Sequence, residues 1–296
     1  MSRARWAAAV AARAAAYWTP TRTDELLRGK AVAVRPAEGA VLLRGLGIAD
    51  DHGAIPPQRI GKYFQVNHMV ATVAPALADL RARHAAVGIV DAGCGRSYLT
   101  TVLAWCGAHV WDHRILVLGV DRNPAVIAES QRRVEAIGLA ERVRYAVGAL
   151  ERADVAAAWT AAFAGDAAAV HAVVALHACD AATCAAIALG VELDAALIAV
   201  APCCQAELAR GWAALADAGA AGGLAALWQS PHLRREAAAH VTDLMRLLLL
   251  RAHGYHATAL EFVPHEHTRK NTLLRATRGP GPDADAARQH AALVAS

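Results

Sequence analysis

The sequence predicts an α/β fold of the Rossmann-like class, with a mostly parallel seven-stranded sheet, an antiparallel C-terminal pair and a small N-terminal cap. Three observations support this prediction. From about residue 86, short apolar runs alternate with helical segments, as in parallel strands covered by helices on both faces. A glycine-containing turn follows the first run. Only residues 264–270 separate the last two runs, and so short a connection leaves no room for a crossover helix.

Apolar runs predict the first five strands, and residues that begin or end helices predict the helices between them. The candidate parallel strands are residues 87–91, 115–121, 142–147, 171–176 and 195–200. One helix is expected at about 97–109, and a second begins at Pro124, where the missing N–H costs nothing. Gly138 can adopt the left-handed conformation that ends that second helix.

The C-terminal elements distinguish this sheet from that of a dinucleotide dehydrogenase. A long helix at about 231–254 precedes strands at 256–263 and 271–277. The short connection between these two strands makes them antiparallel. An otherwise parallel sheet that ends in an antiparallel pair fits a class I methyltransferase better.

The chain divides into three predicted regions. Residues 1–75 form an N-terminal cap, with strand-like pieces at 31–35 and 40–44 and a helical pattern from Gln58. Residues 76–278 form the main domain. Residues 279–296 begin with a Gly-Pro-rich stretch and are expected to be a flexible tail.

Composition limits the classes of protein to which this chain can belong. Of 296 residues, 56% are hydrophobic, which is ample for a core, and the formal net charge of +4 permits a polyanionic partner without requiring one. Arg13 interrupts any signal-peptide core, so the six cysteines are expected to be reduced and the protein cytoplasmic. Polar residues break the longest apolar stretch, 167–204, which argues against a membrane span.

The turn after the first strand predicts a cofactor site. Gly93 and Gly95 allow a tight turn and a close approach to a ligand. A dinucleotide fingerprint would place a third glycine at position 98, where this chain has Tyr98. Asp91 can accept a hydrogen bond from an ammonium group, which S-adenosylmethionine has and NAD lacks.

Asp121 adds a second acid at the end of the second strand. There it can accept hydrogen bonds from both ribose hydroxyls of an adenosine. Many methyltransferases have an acid after the third strand that binds the adenine amino group. Here Ala149 stands at that position, and Glu151 is the nearest acid. The other residues expected to line the cofactor site are Cys94, Ser97, Tyr98, Arg122, Leu150 and His177.

Four motifs carry a family resemblance: residues 91–99 (DAGCGRSYL), 176–183 (LHACDAAT), 201–205 (APCCQ) and 266–271 (EHTRKN). They resemble a family of bacterial class I S-adenosylmethionine-dependent methyltransferases. Its domain is similar to the eukaryotic acceptor-stem tRNA 2′-O-methyltransferase and to rRNA-adenine-dimethylase-like proteins. The helix at 58–70, with Lys62, Gln65 and Asn67, also looks like the family's lead-in helix. The resemblance implies methyl transfer from S-adenosylmethionine.

Methyl transfer requires a nucleophile placed opposite the sulfonium and, where needed, a base. His177 and Asp180 follow the fourth strand and are the candidate acceptor-orienting group or base. Cys203 and Cys204 follow the fifth strand and are candidates for the catalytic pocket, although they could equally pack as small apolar residues. The candidate acceptor-binding residues are Gln205, His265, His267, Lys270 and Asn271.

Several alternatives remain open at this stage. The histidines and cysteines near these strand ends lack the Cys-x-x-Cys spacing of a structural zinc site, so no metal is expected. The segment 177–180 (HACD) is not the Pro-Pro-aromatic motif of DNA exocyclic-amine methyltransferases. The acceptor is expected to be tRNA or rRNA; a small molecule, a protein, or a non-catalytic cofactor-binding role are the alternatives.

Overall fold

The strands lie in one mixed sheet whose order shows the Rossmann-like class. A computed structural model describes residues 2–164, 169–176, 181–202, 206–220, 224–261 and 272–295. Within these residues seven strands are ordered β3-β2-β1-β4-β5-β7-β6. The predicted fold class, including the antiparallel C-terminal pair, is confirmed.

The chain forms two compact units, Met1–His171 and Ala172–Ser296. The first unit begins with helices α1 (Arg3–Tyr17), α2 (Pro20–Leu27), α3 (Ala40–Gly45) and α4 (Pro57–Arg83). It continues with β1 (Ala86–Ala92), α5 (Tyr98–His109), β2 (Arg114–Asp121), α6 (Pro124–Ile137), β3 (Val143–Val147) and α7 (Val155–Ala162). Strand β4 (Val170–Leu176) crosses the boundary between the units.

The first three strands form the core of the first unit. Strand β1 pairs in parallel with β2, and β2 pairs in parallel with β3. Six of the seven residues in β1 and six of the eight in β2 are buried, which is why both strands read as continuous apolar runs. Helix α6 has Pro124 in its first turn and ends at Gly138, which has a φ of 93°, as the sequence predicts.

The second unit is built around an antiparallel pair next to a parallel one. Its elements are α8 (Ala181–Glu192), β5 (Leu197–Ala201), α9 (Glu207–Asp217), α10 (Ala225–Gln229), α11 (Pro231–Ala252), β6 (Tyr255–Glu261), β7 (Thr272–Arg278) and α12 (Ala284–Ala295). Strand β5 pairs in parallel with β4, whereas β7 is antiparallel to both β5 and β6.

Two terminal regions differ from the sequence-based expectation. The strand-like pieces at 31–35 and 40–44 are not strands: the first is irregular, and the second lies in α3. Gly39, between them, packs against Val34, where a Cβ would come within 2.3 Å of the valine side chain. The C-terminal region 279–296, expected as a flexible tail, contains α12, which packs against α11.

None of the described helices is both long enough and apolar enough to cross a bilayer. The longest, α4, has 27 residues but carries charged side chains at both ends and a low mean hydropathy.

Candidate active site

The turn between β1 and α5 is open on the side where a ligand would lie. Gly93 has a φ of 76° and Gly95 a φ of 50°, conformations that favour glycine. Apart from each glycine and its two chain neighbours, no described residue has an atom within 4 Å of the position that a Cβ would take on either glycine. The backbone N–H groups of Gly93 and Cys94 both donate to the carbonyl of Val120, at 2.8 and 3.0 Å, which ties the turn to β2.

Asp91 is a buried acid directly before this turn. Its side chain is 2% exposed. Its Oδ2 accepts hydrogen bonds from the Thr100 hydroxyl at 2.5 Å and from the Thr100 backbone N–H at 3.2 Å. Burial raises the pKa of the Asp91 carboxyl to about 6; the negative charge of Asp121 adds to this, and the Thr100 hydrogen bonds oppose it. A cationic group placed beside Asp91 would therefore be strongly favoured.

Asp121 fixes the turn from the end of β2. Its Oδ2 accepts from the Gly95 backbone N–H and its Oδ1 from the Asn123 backbone N–H, both at 2.9 Å. An ionised carboxylate has about four acceptor sites, so each oxygen can still accept a hydroxyl. The carboxylate thus both holds the glycine turn and can bind a diol.

Ser97 ends the turn and connects it to the third strand. The residue is 1% exposed, with the left-handed φ of 61°. Its hydroxyl lies 2.5 Å from the Tyr145 hydroxyl, and the Tyr145 ring fills the space beside Gly119. A Cβ on Gly119 would come within 2.7 Å of that ring. The side of the turn that faces Tyr145 is therefore tightly packed, whereas the positions that a Cβ would take on Gly93 and Gly95 are open.

The other predicted cofactor residues of the first unit differ in their burial and position. Cys94 is half-buried, and burial, together with the charges of Asp91 and Asp121, raises the pKa of its thiol, which makes it a poor nucleophile. Tyr98 begins α5. Arg122 is exposed directly after β2, and Leu150 is half-buried in the turn after β3.

The predicted catalytic and acceptor residues are not among those that the structure describes. These are His177, Asp180, Cys203, Cys204, Gln205, His265, His267, Lys270 and Asn271. Their roles stay predictions from the sequence. Within the described part of the chain, no group of three or more histidine, cysteine or acidic side chains is arranged to hold a metal ion.

Three residues that contact the glycine turn were not predicted as site residues. Thr100 binds Asp91, Tyr145 binds Ser97, and the Lys62 ammonium lies 4.3 Å from the centre of the Tyr98 ring. Thr100 could have been found from its position in the first helical turn after the glycines. Tyr145 and Lys62 come from a later strand and an earlier helix, so only the folded chain brings them to the turn.

A family comparison decides what class of protein this is. A family profile described as a methyltransferase domain matches residues 61–211. The chain belongs to this methyltransferase domain family. The match includes β1, β2, the glycine turn and both acids, and it confirms the predicted methyltransferase class. The closer resemblance to the acceptor-stem tRNA 2′-O-methyltransferase stays a resemblance.

Solved structures with a similar fold include methyltransferases with different acceptors. An SAH-bound methyltransferase of Podospora anserina is 13% identical, with a TM-score of 0.47, over 90% of this chain and 94% of that one. A magnesium protoporphyrin IX methyltransferase of Synechocystis PCC 6803 is 18% identical, with a TM-score of 0.42, over 81% of this chain and 93% of that one. An rRNA methylase of Streptococcus thermophilus is 12% identical, with a TM-score of 0.40, over 71% of this chain and 96% of that one. A comparison with curated proteins gave no match.

The residues present fit S-adenosylmethionine, the cofactor of this methyltransferase. The ligand carries a sulfonium and an ammonium, and two acids, Asp91 and Asp121, flank the glycine turn. No described atom outside the turn itself blocks a close approach of a ligand to Gly93 and Gly95. Asp91 would meet the ammonium group, and Asp121 would meet the ribose hydroxyls.

Proposed function

We propose that the chain transfers a methyl group from S-adenosylmethionine to an RNA acceptor, either tRNA or rRNA. The observation that carries the first half of this proposal is the open glycine turn between two acids. A site with this charge favours a cationic ligand over a pyrophosphate, because an anionic group beside Asp91 would be repelled.

The cofactor supplies an activated methyl group, and the chain supplies binding and orientation. Asp91 binds the amino-acid end, because a buried carboxylate interacts strongly with an ammonium group. Asp121 holds the ribose while its bonds to Gly95 and Asn123 keep the carboxylate in one orientation. The tight packing of Ser97 against Tyr145 keeps the turn from rearranging when the ligand binds.

The uneven charge of the chain supports an RNA acceptor. Residues 1–75 contain ten Lys and Arg against five Asp and Glu, a net charge of +5, whereas the whole chain has a net charge of +4. All of the positive excess therefore lies in the N-terminal region. Most of these cations are exposed, among them Arg3, Arg5, Arg13 and Arg28. A cationic region joined to a methyltransferase domain suits a polyanionic acceptor.

The acceptor side of the proposal rests on the sequence. His177 or Asp180 orients or deprotonates the acceptor, while Cys203, Cys204 and Gln205 line its pocket. His265, His267, Lys270 and Asn271 form the rim. These assignments follow from the positions of the residues directly after the fourth and fifth strands and between the last two strands.

Transfer of a labelled methyl group into a fractionated cell extract tests the proposal. The purified protein is incubated with S-adenosylmethionine that carries a labelled methyl group, and label is then counted in RNA, protein and small-molecule fractions. We expect label in RNA that ribonuclease removes. Label in the protein or small-molecule fraction would show that the acceptor is not RNA. Cofactor binding without any transfer would show that the chain is a binding module.

A further inference from the structure

A cleft in the N-terminal region is lined by residues outside the predicted site. Its volume is about 240 Å³. One wall is the junction of α1 and α2, with Trp18 and Asp24, and the other is the turn before α3, with Arg35, Pro36 and Glu38. Sites for drug-sized ligands have roughly 300–1,000 Å³, so this cleft matches a smaller group, such as a single flat ring system.

The Trp18 indole is a fixed wall of this cleft. Its Nε1–H donates to the Gly53 carbonyl at 2.7 Å, and the Tyr17 ring packs edge-on against it, with the ring centres 5.1 Å apart. Trp18 also packs against a small buried cluster of Val10, Ala14 and Ala40. The indole is half-buried and lines the cleft, so part of its surface stays open. A flat ring can stack on such a surface at low entropic cost.

Arg35 provides a cation that a ligand can engage. Its Nε lies 3.6 Å from Glu38 Oε2, and the two side chains are 54% and 64% exposed, so this ion pair is weak. The backbone below the side chain is fixed, because the Arg35 carbonyl accepts from the Gly39 N–H at 2.8 Å and the next residue, Pro36, is buried. The guanidinium can therefore turn to a ligand while the chain stays in place.

Asp24 places a carboxylate on the same cleft. It lies on α2 and is exposed, and it lines the cleft together with Arg35. A ring that binds both charges must carry donors on one edge and acceptors on another. Guanine has this pattern, because N1–H and the N2 amino group are adjacent donors, whereas O6 and N7 are adjacent acceptors that an arginine binds with two hydrogen bonds. Adenine, cytosine and uracil have no two adjacent donors.

We propose that this cleft binds one unpaired guanine of the RNA acceptor, stacked on Trp18. Asp24 accepts from N1–H and the N2 amino group, and Arg35 donates to O6 and N7. The proposal rests on the RNA part of the proposed function. The Arg22 guanidinium, 4.5 Å from the centre of the Tyr17 ring, provides a cation for a neighbouring phosphate. Phosphate contacts position an RNA without reading its sequence, and the cleft adds a preference for one base.

Binding of short RNA oligomers tests this base site without any methyl transfer. Labelled uridine oligomers carry one guanosine at the centre, or adenosine, cytidine, inosine or 7-deazaguanosine in its place. Inosine lacks the N2 amino group, and 7-deazaguanosine lacks N7. Fluorescence anisotropy at low salt gives their affinities for the wild type, Trp18→Leu, Asp24→Asn and Arg35→Gln.

Two further variants serve as matched controls. Trp6→Leu controls for Trp18→Leu, because Trp6 packs against the same buried cluster but does not line the cleft. Arg44→Gln controls for Arg35→Gln, because it removes an arginine from a different ion pair of the same region, in which Nη2 lies 2.7 Å from the Asp51 carboxylate.

We expect the wild type to bind the guanosine oligomer about fivefold or more tightly than the adenosine oligomer, the contribution of one bidentate contact. Trp18→Leu should weaken binding of the guanosine oligomer by about fivefold to a hundredfold, the contribution of one stacked base. Asp24→Asn should abolish the advantage of guanosine over inosine, and Arg35→Gln that of guanosine over 7-deazaguanosine. Trp6→Leu and Arg44→Gln should keep the wild-type preference for guanosine.

Equal affinity of the wild type for the guanosine and adenosine oligomers would overturn the base site. Equal losses in Trp18→Leu and Trp6→Leu, or an unchanged preference in both Asp24→Asn and Arg35→Gln, would also overturn it. The labelled methyl transfer decides the proposed function separately. Methylated RNA without a guanosine preference would refute the base site alone, and a guanosine preference with label only in protein or small molecules would refute the RNA acceptor alone.

Discussion

Asp91 carries a destabilising charge that a cationic ligand would offset. Its folded-state pKa of about 6 lies above the ordinary value of 3.8, so the folded chain binds the proton more tightly than the unfolded chain does. Stability therefore falls as the pH rises from about 4 to about 6, and the full cost remains above that range. A shift of this size corresponds to about 3 kcal/mol.

Asp91→Asn should therefore stabilise the ligand-free protein and weaken cofactor binding. An asparagine oxygen can still accept from Thr100, whereas the buried charge is gone. We expect the free energy of unfolding in urea to rise by about 2–3 kcal/mol at pH 7.5 and the gain to vanish near pH 4. Calorimetry should show at least tenfold weaker binding of S-adenosylmethionine. A variant that is less stable at pH 7.5, or that binds normally, would refute this role for Asp91.

Gly93→Ala should distinguish the cost of a strained backbone from the loss of a binding position for the cofactor. Gly93 and Gly29 both have a φ of 76°, and at both sites a Cβ would meet no described atom within 4 Å outside the neighbouring residues. Each alanine variant should thus lose a similar 1–2 kcal/mol of stability, the cost of a left-handed conformation. Only Gly93→Ala should also lose cofactor affinity, by more than tenfold. Equal affinity in the two variants would place the ligand elsewhere.

The sequence could group candidate site residues that are close along the chain, but it could not reveal the contacts that only folding creates. Asp91, Gly93 and Gly95 lie in one motif, and Asp121 ends the next apolar run. The sequence does not reveal that the Thr100 hydroxyl donates a hydrogen bond to Asp91 Oδ2 or that the Gly95 N–H donates one to Asp121. These bonds depend on the angle at which α5 leaves the turn and on the register of β1 against β2.

At the scale of elements, α4 is fixed by two side chains that bind the irregular segment before α3. The Asn67 Oδ1 accepts from the Val34 backbone N–H at 2.8 Å, and the Tyr63 hydroxyl donates to the Val34 carbonyl at 2.8 Å. Both side chains are at most 2% exposed. Because Lys62 lies on the same helix, these bonds also set the position of its ammonium.

Asn67→Leu should test this anchor. Loss of the amide oxygen leaves the buried Val34 N–H without a partner, which costs about 1–3 kcal/mol. Tyr63→Phe removes a donor from a carbonyl with a second lone pair, so it should cost less, about 1 kcal/mol. Urea unfolding followed by circular dichroism measures both. An Asn67→Leu variant as stable as the wild type would show that the contact contributes nothing.

The elements of the main domain were easier to predict than those of the N-terminal region. Strands β1 and β2 are buried on both faces, and the Pro124 and Gly138 signals act locally, so the sequence alone was enough. Residues 40–44 form a short apolar run for which helix and strand patterns are equivalent. Packing against other helices of the first unit selects the helix there, and α1, α5 and α6 all contact it.

At the scale of the whole molecule, the N-terminal excess of positive charge makes a prediction about RNA. Arg5→Gln with Arg13→Gln should weaken binding of total tRNA and lower the slope of log affinity against log salt by about 2, roughly one for each phosphate contact. Arg132→Gln with Arg288→Gln removes two exposed but ion-paired arginines outside this region and is the control. Equal slopes for the two double variants would assign RNA binding to another part of the chain.

The most direct test of the account is a titration of the wild-type protein with S-adenosylmethionine and, separately, with NAD. Two acids flank the open glycine turn, so the ligand should be a cationic nucleoside. We predict heat of binding at a 1:1 ratio with S-adenosylmethionine and none with NAD. Binding of NAD together with no heat from S-adenosylmethionine would contradict the account.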